Sequence, residues 1–187
     1  MDLVGRLAAA VADQRVRHDR VLVGIDGPDA AGKTTLADAL AAAIGGPVHR
    51  GSIDDHQRPR AERYTRGELS PEGCYRDTHD LAAFAAACLS GPAGVPVVAD
   101  GVFLLRPELR DLWTLAVHLR VGADEVLRRA LERDTALFGT AAEVERRYGG
   151  RYLPAQELYR AEADPEARAD VLVDNTDPRR PRVLRFP

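Results

Sequence analysis

Apolar and amphipathic segments alternate along the chain and predict a regular succession of strands and helices. Five short apolar runs have the length of buried strands, and they cover residues 21–25, 48–53, 95–101, 115–121 and 169–175. Helical spacing of apolar residues covers 3–17, 33–44, 79–89, 123–135 and 140–162, with a break near Gly149 and Gly150. Strands separated by helices form parallel sheets that are covered on both faces. The pattern therefore predicts an α/β fold with three α/β/α layers and a parallel five-stranded sheet.

The stretch 54–80 is polar and contains proline and glycine, and it interrupts this alternation. Ligands of open parallel sheets bind beyond the carboxyl ends of the strands. Because this stretch follows the second predicted strand, we expect it to form a long excursion near the active site. The chain has 187 residues without an internal repeat or a low-complexity linker. That length suits a single domain over residues 1–187.

Residues 27–34 read GPDAAGKT and fit the phosphate-loop pattern G-x-x-x-x-G-K-[ST] between an apolar strand and a helix. Glycines let the backbone wrap closely, so that successive N–H groups and the start of the helix face phosphate oxygens. In this pattern Lys33 reaches the β- and γ-phosphates and the Thr34 hydroxyl binds Mg²⁺. The alternative dinucleotide pattern G-x-G-x-x-G is not present in this loop. The predicted nucleotide-binding residues are Gly27, Asp29, Ala30, Ala31, Gly32, Lys33, Thr34 and Thr35.

Composition narrows the class of protein. The formal net charge is −3 and the isoelectric point is near 6.0, which disfavours nucleic acid as a partner. Lys33 is the one lysine among 26 basic residues, and a compact ammonium against phosphate is a role that arginine's planar fork does not fill. The two cysteines form no CxxC pattern and predict reduced thiols. No signal peptide or membrane-spanning run is evident, so we expect a cytoplasmic protein without a membrane partner.

Nucleotide-binding loops serve switches, motors and transferases, and the rest of the chain favours a transferase. A GTPase needs a base-reading N-K-x-D motif, and a chain whose only lysine is Lys33 cannot contain it. Motor ATPases are usually longer and carry an acidic pair after an apolar strand. Here the third predicted strand ends in one carboxylate, Asp100, followed by glycine. Together with the arginine-rich helices further along the chain, this favours a small-molecule kinase.

Several segments together resemble the uridine kinase-like branch of P-loop kinases, which is related to phosphoribulokinase and bacterial pantothenate kinase. These segments are GIDGPDAAGKTT, GSIDDHQRPR, VVADGVFLLRPELRDLW, RRALERD and RADVLVDNTDP, and they extend roughly from residue 20 to residue 180. The resemblance implies that Asp54 is the general base for the acceptor hydroxyl and that Asp100 helps to hold Mg²⁺. His56 stands where the family has an aromatic residue, and we expect it to line the acceptor pocket.

The resemblance also implies a helical lid over about residues 128–152, with arginines that close over the transferred phosphate. Arg133, followed by Asp134, matches the family's lid pattern best, and Arg129 lies one turn earlier on the same helix face. Arg128, Arg146, Arg147 and Arg151 are further lid candidates. Asn175 lies where related kinases contact adenine, and Asp77 lies in the acceptor-binding region. The expected catalytic residues are Asp54, Lys33 and Arg133, the acceptor-binding residues are Asp77, Arg129 and His56, and the metal ligands are Thr34 and Asp100.

Two departures from the family bear on the acceptor. The lid continues as DTALFGT after Arg133 instead of with further arginines, and only SGPAG lies between Leu89 and Val95, where the family has a longer segment of the nucleoside pocket. The expected activity is transfer of the ATP γ-phosphate to a hydroxyl of a small molecule, with Mg²⁺ and with a nucleoside as the first candidate acceptor. The alternatives are a nucleoside-monophosphate kinase and a nucleotide-binding regulatory protein without acceptor activity. Homo-oligomerisation is left open.

Overall fold

The computed structural model describes residues 2–187 as a six-stranded sheet covered by helices on both faces. The strands are β1 (Leu22–Asp26), β2 (His49–Ser52), β3 (Val97–Gly101), β4 (Leu115–Arg120), β5 (Val171–Asp174) and β6 (Arg182–Arg185). The helices are α1 (Leu3–Arg17), α2 (Lys33–Ile44), α3 (Arg60–Arg63), α4 (Pro71–Asp77), α5 (Leu81–Leu89), α6 (Ala123–Phe138), α7 (Ala141–Arg147), α8 (Leu153–Ala163) and α9 (Pro165–Arg168).

The sheet has the order β2-β3-β1-β4-β5-β6, and all neighbours are parallel except β5 and β6. The predicted α/β class and parallel arrangement are confirmed, whereas the predicted number of five strands is wrong. The additional strand, β6, lies antiparallel at the edge beside β5. Its residues are mostly exposed, and arginine and proline around it hide the strand pattern, as is usual for edge strands.

The core lies on both faces of the sheet because neighbouring strand residues point to opposite sides. Val23 and Ile25 of β1 face a layer that includes residues of α1, α2 and α6. Leu22 of the same strand faces the opposite layer, which contains Phe84 of α5. β1 is buried along its whole length, as expected for a central parallel strand between two others.

Gly24 lets this central strand pack tightly on its second face. A Cβ atom at this position would lie 2.5 Å from Cδ2 of Trp113. The indole ring therefore occupies the space that any side chain on residue 24 would need. Its Nε1–H donates a 2.9 Å hydrogen bond to the Leu104 carbonyl, which fixes the ring in place.

The predicted excursion after β2 contains short helical segments. A 3₁₀ turn covers Ile53–His56, and α3 and α4 follow. The predicted break at Gly149 and Gly150 is a π-helical turn, Tyr148–Tyr152, which joins α7 to α8. Residues 90–94 precede β3 and so lie near the amino-terminal ends of the strands, away from the phosphate loop, where Arg15 of α1 donates a hydrogen bond to the Gly94 carbonyl. Within residues 2–187, no helix is both long and apolar enough to cross a lipid bilayer.

Candidate active site

The phosphate-loop motif forms the connection between β1 and α2. Gly27, Ala30 and Gly32 have positive φ angles of 155°, 56° and 91°, so the backbone turns sharply three times within six residues. Gly32 precedes α2 and makes no side-chain cap, which leaves the first amides of the helix free to bind an anion. The Lys33 ammonium folds back over the loop and donates a 2.6 Å hydrogen bond to the Pro28 carbonyl.

Thr34 and Asp100 meet beside the loop. The Thr34 hydroxyl donates a 2.7 Å hydrogen bond to Asp100 Oδ2, and Asp100 is only 2% exposed at the end of β3. Its second oxygen, Oδ1, accepts a hydrogen bond from Arg50, which also pairs with Asp38. Mg²⁺ prefers hard oxygen ligands and retains several waters. One hydroxyl and one carboxylate at a phosphate loop therefore fit a magnesium ion that takes its other ligands from phosphate and water.

The side chains of Arg129 and Asn175 bind the backbone of the phosphate loop. Arg129 donates hydrogen bonds to the carbonyls of Ala30 (3.1 Å) and Asn175 (2.7 Å). The Asn175 amide donates to the Ala31 carbonyl at 2.7 Å. Arg129 therefore contacts the phosphate loop, and it also lines the groove over Lys33 and Thr34; its expected role at the acceptor stays a prediction. The sequence could not distinguish it from Arg133, because both lie on one face of α6.

A cavity of about 370 Å³ lies beside the loop on the side of Asn175. The start of α2 contributes Thr35 and Leu36 to its wall, and α1 contributes Leu3 and Val4. The expected adenine-contacting residue, Asn175, lines this cavity. The walls are largely apolar, which suits a flat ring such as a nucleobase.

A buried polar network lies under the loop. Asp26, the last residue of β1, is 0% exposed, and its carboxylate pairs with His118 Nδ1 at 2.7 Å. It also accepts hydrogen bonds from the Tyr159 hydroxyl (2.8 Å) and from the Leu104 amide (3.0 Å). This network ties the start of the phosphate loop to β4 and α8. Nothing in the sequence pattern predicted this network, although a charged residue directly after a predicted buried strand was a signal.

A second cavity, of about 320 Å³, is lined by Asp29 of the phosphate loop and by Asp54. Asp54 follows β2 in the 3₁₀ turn, and its side chain is 68% exposed. His79 Nε2 lies 3.5 Å from Asp54 Oδ1. The neighbouring His79 imidazole, and to a lesser extent the Lys33 ammonium, hold the pKa of Asp54 below its ordinary value. Asp54 is thus an accessible carboxylate that stays ionised at neutral pH.

Asp29 points into this second cavity instead of toward the Asn175 side. Burial raises the pKa of the Asp29 carboxyl above its ordinary value, although the nearby Lys33 opposes this effect. The charge of Asp54 raises it further. Sequence reasoning assigned Asp29 to nucleotide binding by its position in the loop. That assignment stays a prediction, and the side chain adds a second carboxylate to the cavity of Asp54.

Arg133 lines both the second cavity and the groove over Lys33 and Thr34. Its guanidinium donates to both carboxylate oxygens of Asp134, at 2.6 and 2.9 Å. The Tyr148 hydroxyl donates to Asp134 as well, at 2.7 Å. Burial of Asp134 acts to raise its carboxyl pKa, but these hydrogen bonds outweigh burial and lower it. The ion pair with Asp134 therefore holds the Arg133 guanidinium between the second cavity and the groove over Lys33 and Thr34.

Two expected acceptor residues lie away from the second cavity. Asp77 forms a 2.7 Å ion pair with Arg66, and His56 packs its ring edge-on against Phe84 with centroids 5.7 Å apart. Neither is among the residues that line the cavity. The structure therefore does not place either side chain on the cavity wall, and their expected roles at the acceptor stay predictions. Sequence spacing alone does not fix side-chain direction in such an irregular segment.

Other side chains complete the second cavity. Arg151, one of the lid candidates, is 2% exposed, and it donates hydrogen bonds to the Glu68 and Ser70 carbonyls at 3.2 Å. Its guanidinium lies 4.7 Å from the ring centroid of Tyr64. Arg151 therefore holds the excursion against the π-helical turn. The cavity is also lined by Gln57, Arg63, Cys74, Thr78, Val102, Phe103 and Tyr152.

Comparison with solved structures defines the class of fold. A protein of Bacillus stearothermophilus that is provisionally assigned as a uridine kinase has a TM-score of 0.62 at 22% identity, covering 89% of this chain and 98% of its own. A provisionally assigned fructose transport system kinase from Silicibacter sp. TM1040 gives 0.71 at 22% identity, covering 87% and 96%. D-Glycerate 3-kinase of Cryptococcus neoformans gives 0.58 at 17% identity, covering 84% and 88%. The chain thus shares the fold of these three proteins, and the resemblance is confirmed for the fold.

Sequence comparison adds a different relative. The tRNA dimethylallyltransferase of Anaeromyxobacter sp. (strain K) is 32% identical over 197 aligned positions, and that of Anaeromyxobacter dehalogenans (strain 2CP-1) is 32% identical over 199. Each match covers 85% of this chain, and the chain spans 64% of the length of these relatives. No protein-family model matches the chain. Fold and sequence comparisons together support an enzyme with a nucleotide-binding P-loop.

Proposed function

We propose that this protein is an ATP-dependent phosphotransferase that moves the γ-phosphate of ATP to a hydroxyl of a small molecule. A nucleoside is the first candidate acceptor. The observation that carries the proposal is the position of Arg133, which lines both the groove over Lys33 and the cavity that contains Asp54. A cation at the boundary of a donor space and an acceptor space is where a transferred phosphoryl group needs charge stabilisation.

On the donor side, the loop amides and Lys33 would hold the phosphates. Asn175 and the apolar wall of the neighbouring cavity would hold adenine. Thr34 and Asp100 would hold Mg²⁺, since they supply adjacent oxygen ligands. Bound Mg²⁺ would neutralise phosphate charge during transfer. We expect the reaction to occur in the cytoplasm, where ATP is available.

On the acceptor side, Asp54 would accept the proton of the attacking hydroxyl. The acceptor oxygen forms a bond to the γ-phosphorus, the bond between that phosphorus and the bridging oxygen breaks, and ADP leaves with the electron pair. Lys33 and Arg133 stabilise the negative charge on the moving group. Asp29 lies in the same cavity, where its carboxyl would bind a further hydroxyl of the acceptor.

The test is a screen for acceptor-dependent ADP formation from Mg-ATP, with nucleosides, pantothenate and phosphosugars as acceptors. Asp54→Asn is compared with Asp55→Asn, which changes the exposed neighbour in the same way. We expect Asp54→Asn to lower turnover about 10²- to 10⁴-fold, as for loss of a general base, and Asp55→Asn to leave it unchanged. Equal turnover in both variants would remove Asp54 as the base. A preference for monophosphate acceptors would favour the nucleoside-monophosphate kinase, and ATP binding without any acceptor-dependent turnover would favour the regulatory protein.

A second candidate function is transfer of a dimethylallyl group to tRNA. It is supported by the 32% identity to tRNA dimethylallyltransferases. The net charge of −3 speaks against it, because tRNA binding usually requires a strongly basic face. Incubation with tRNA and a dimethylallyl donor, followed by mass spectrometry of the tRNA nucleosides, distinguishes the two. A modified nucleoside that depends on this protein would replace the kinase proposal.

A further inference from the structure

His79 is a buried imidazole without an evident structural purpose. It is 3% exposed, and within residues 2–187 neither of its ring nitrogens has a well-aligned hydrogen-bond partner. Burial of an unpaired polar group costs free energy, and native proteins rarely keep one without a reason. His79 has no chemical part in the proposed transfer from ATP to the acceptor hydroxyl.

The backbone on both sides of His79 is firmly held. The Arg58 amide donates a 2.9 Å hydrogen bond to the Thr78 carbonyl, and the Asp80 amide donates a 2.8 Å hydrogen bond to the His56 carbonyl. The Arg58 guanidinium also donates to the carbonyl of His79 itself, at 3.2 Å. Asp80 then caps α5. These contacts hold the segment that follows α4 against the turn that carries Asp54, and they fix where the imidazole lies.

The His79 imidazole lies next to Asp54, the proposed base, on the side that faces the protein interior. His79 Nε2 is 3.5 Å from Asp54 Oδ1, with the histidine side chain 2% exposed and the aspartate side chain 68% exposed. One carboxylate oxygen thus faces the interior, while the carboxylate as a whole remains accessible. A small rotation of either side chain would give a well-aligned hydrogen bond between Nε2 and Oδ1.

We propose that His79 is the positioning residue for Asp54: its Nε2–H binds one carboxylate oxygen and thereby aims the other at the acceptor hydroxyl. The inference rests on the proposed function of Asp54 as the base. In the reaction the hydroxyl proton moves to the free oxygen of Asp54, and the histidine keeps its own proton throughout. Histidine suits the role because a ring nitrogen that donates to a carboxylate orients it and favours its ionised form.

Other charged groups also act on Asp54, and the test has to separate them from His79. Lys33 of the phosphate loop lowers the pKa of Asp54, and Asp29 of the same loop is a carboxyl whose own pKa the charge of Asp54 raises. The amide of Gln57 lies beside it within the same turn. Arg63, Arg133 and Arg151 line the same cavity. Changing His79 alone leaves all of these groups in place.

The first experiment measures the pairing without an acceptor. Carbon-13 NMR follows the titration of the Asp54 carboxyl, assigned by its loss in Asp54→Asn. His79→Phe keeps a buried ring and removes both nitrogens, His79→Gln restores a donor, and His18→Asn changes an exposed histidine as the control. We expect the Asp54 midpoint to rise in His79→Phe, to return part of the way in His79→Gln and to stay constant in His18→Asn. An unchanged midpoint in a folded His79→Phe variant would overturn the proposal, and if that variant fails to fold, an unchanged midpoint in His79→Leu, which also removes both ring nitrogens, would do so.

The second experiment measures turnover with the best acceptor of the screen, starting with uridine. We expect His79→Phe to lower kcat about 10- to 100-fold, as for other residues that orient a reacting group, while KM for ATP stays constant. The acid limb of the pH profile should move to higher pH, and His79→Gln should recover part of kcat. A constant kcat and an unmoved acid limb would contradict the proposal. If no acceptor supports ADP formation, the kinase function fails while the NMR titration still decides the pairing.

Discussion

The Thr34 hydroxyl donates a 2.7 Å hydrogen bond to Asp100 Oδ2 and so joins the first turn of α2 to the end of β3. These two residues are separated by 66 positions in the sequence, and they meet because β1 and β3 are adjacent parallel strands. The contact brings together the two oxygen ligands that we assign to Mg²⁺. It also makes the metal assignment testable without knowledge of the acceptor.

Asp100→Asn should weaken ATP binding only when Mg²⁺ is present. The substitution removes the anionic ligand but keeps its size, and we expect about a tenfold or greater loss of affinity in calorimetry with Mg²⁺. With EDTA in place of Mg²⁺, the variant and the wild type should bind alike. Asp111→Asn, which changes a side chain that is 91% exposed, is the control. An equal loss of affinity in EDTA would mean that Asp100 acts on the loop and not through the metal.

Asp29→Asn should make the protein more stable at neutral pH. Because burial raises the pKa of Asp29 in the folded state, the folded protein holds this proton more tightly than the unfolded chain, and stability falls as the pH rises through the raised pKa. At pH 7 the buried carboxyl group is therefore less favourable to stability than it is at low pH, and asparagine removes this penalty. We expect a higher Tm at pH 7 and no difference below about pH 4, where the unfolded carboxyl is also protonated.

The exposed Asp55→Asn variant is the control for that measurement, and its Tm should follow the wild type at both pH values. A lower Tm for Asp29→Asn at pH 7 would show that the carboxylate is stabilised in the fold, contrary to the direction expected here.

Tyr159→Phe should destabilise the fold by about 1–3 kcal/mol, the cost of leaving buried polar groups unpaired. The Tyr159 hydroxyl donates to Asp26 and accepts from the Leu105 amide, so phenylalanine leaves both partners incomplete. Urea unfolding measures the change. Tyr75→Phe is the matched control, because its hydroxyl donates to Glu162, whose side chain is 34% exposed and therefore open to water. Equal losses in the two variants would contradict the importance of the Asp26 network.

Gly24→Ala should destabilise the fold by about 1–3 kcal/mol, as for overpacking of a well-filled core. The new methyl group would overlap the Trp113 indole, whose Cδ2 lies 2.5 Å from the required Cβ position. Gly122→Ala is the control, because within the described part of the chain no atom lies within 4 Å of its added Cβ. Thermal unfolding followed by the fluorescence of Trp113, the single tryptophan, reports both stability and the displacement of the ring. An unchanged Tm would show that the indole can move aside.

Features that depend on neighbouring residues in the chain were predictable from the sequence. The phosphate loop is a contiguous motif, and the structure places it between β1 and α2 as its pattern requires. Helices α1 and α2 have the predicted bounds of 3–17 and 33–44. Such elements depend on the local spacing of apolar residues and on the residues that form turns, and both are visible within a short stretch of sequence.

Features that depend on side-chain direction were not predictable in this way. Arg129 and Arg133 share a helix face and both line the groove over Lys33 and Thr34. Arg129 is bonded to the Ala30 carbonyl of the loop, whereas Arg133 also lines the cavity of Asp54. Asp77 lies two residues before His79, but it turns to Arg66 while the histidine backs Asp54. The direction of each side chain depends on which partner the fold brings close to it. A single sequence does not contain the distances between residues that are far apart in the chain.

The sequence by itself determined that this chain is an α/β protein with a phosphate loop, because strands, helices and the glycine-rich turn arise from local preferences. Only the tertiary structure decided that Asp29, Asp54 and His79 face one cavity and that Asp26, His118 and Tyr159 form a network beneath the loop. Each of those groups gathers residues from distant parts of the chain. Parallel strand pairing brings these residues together. Their burial and the pKa shifts of their carboxyl groups depend on neighbours that they meet only in the folded protein.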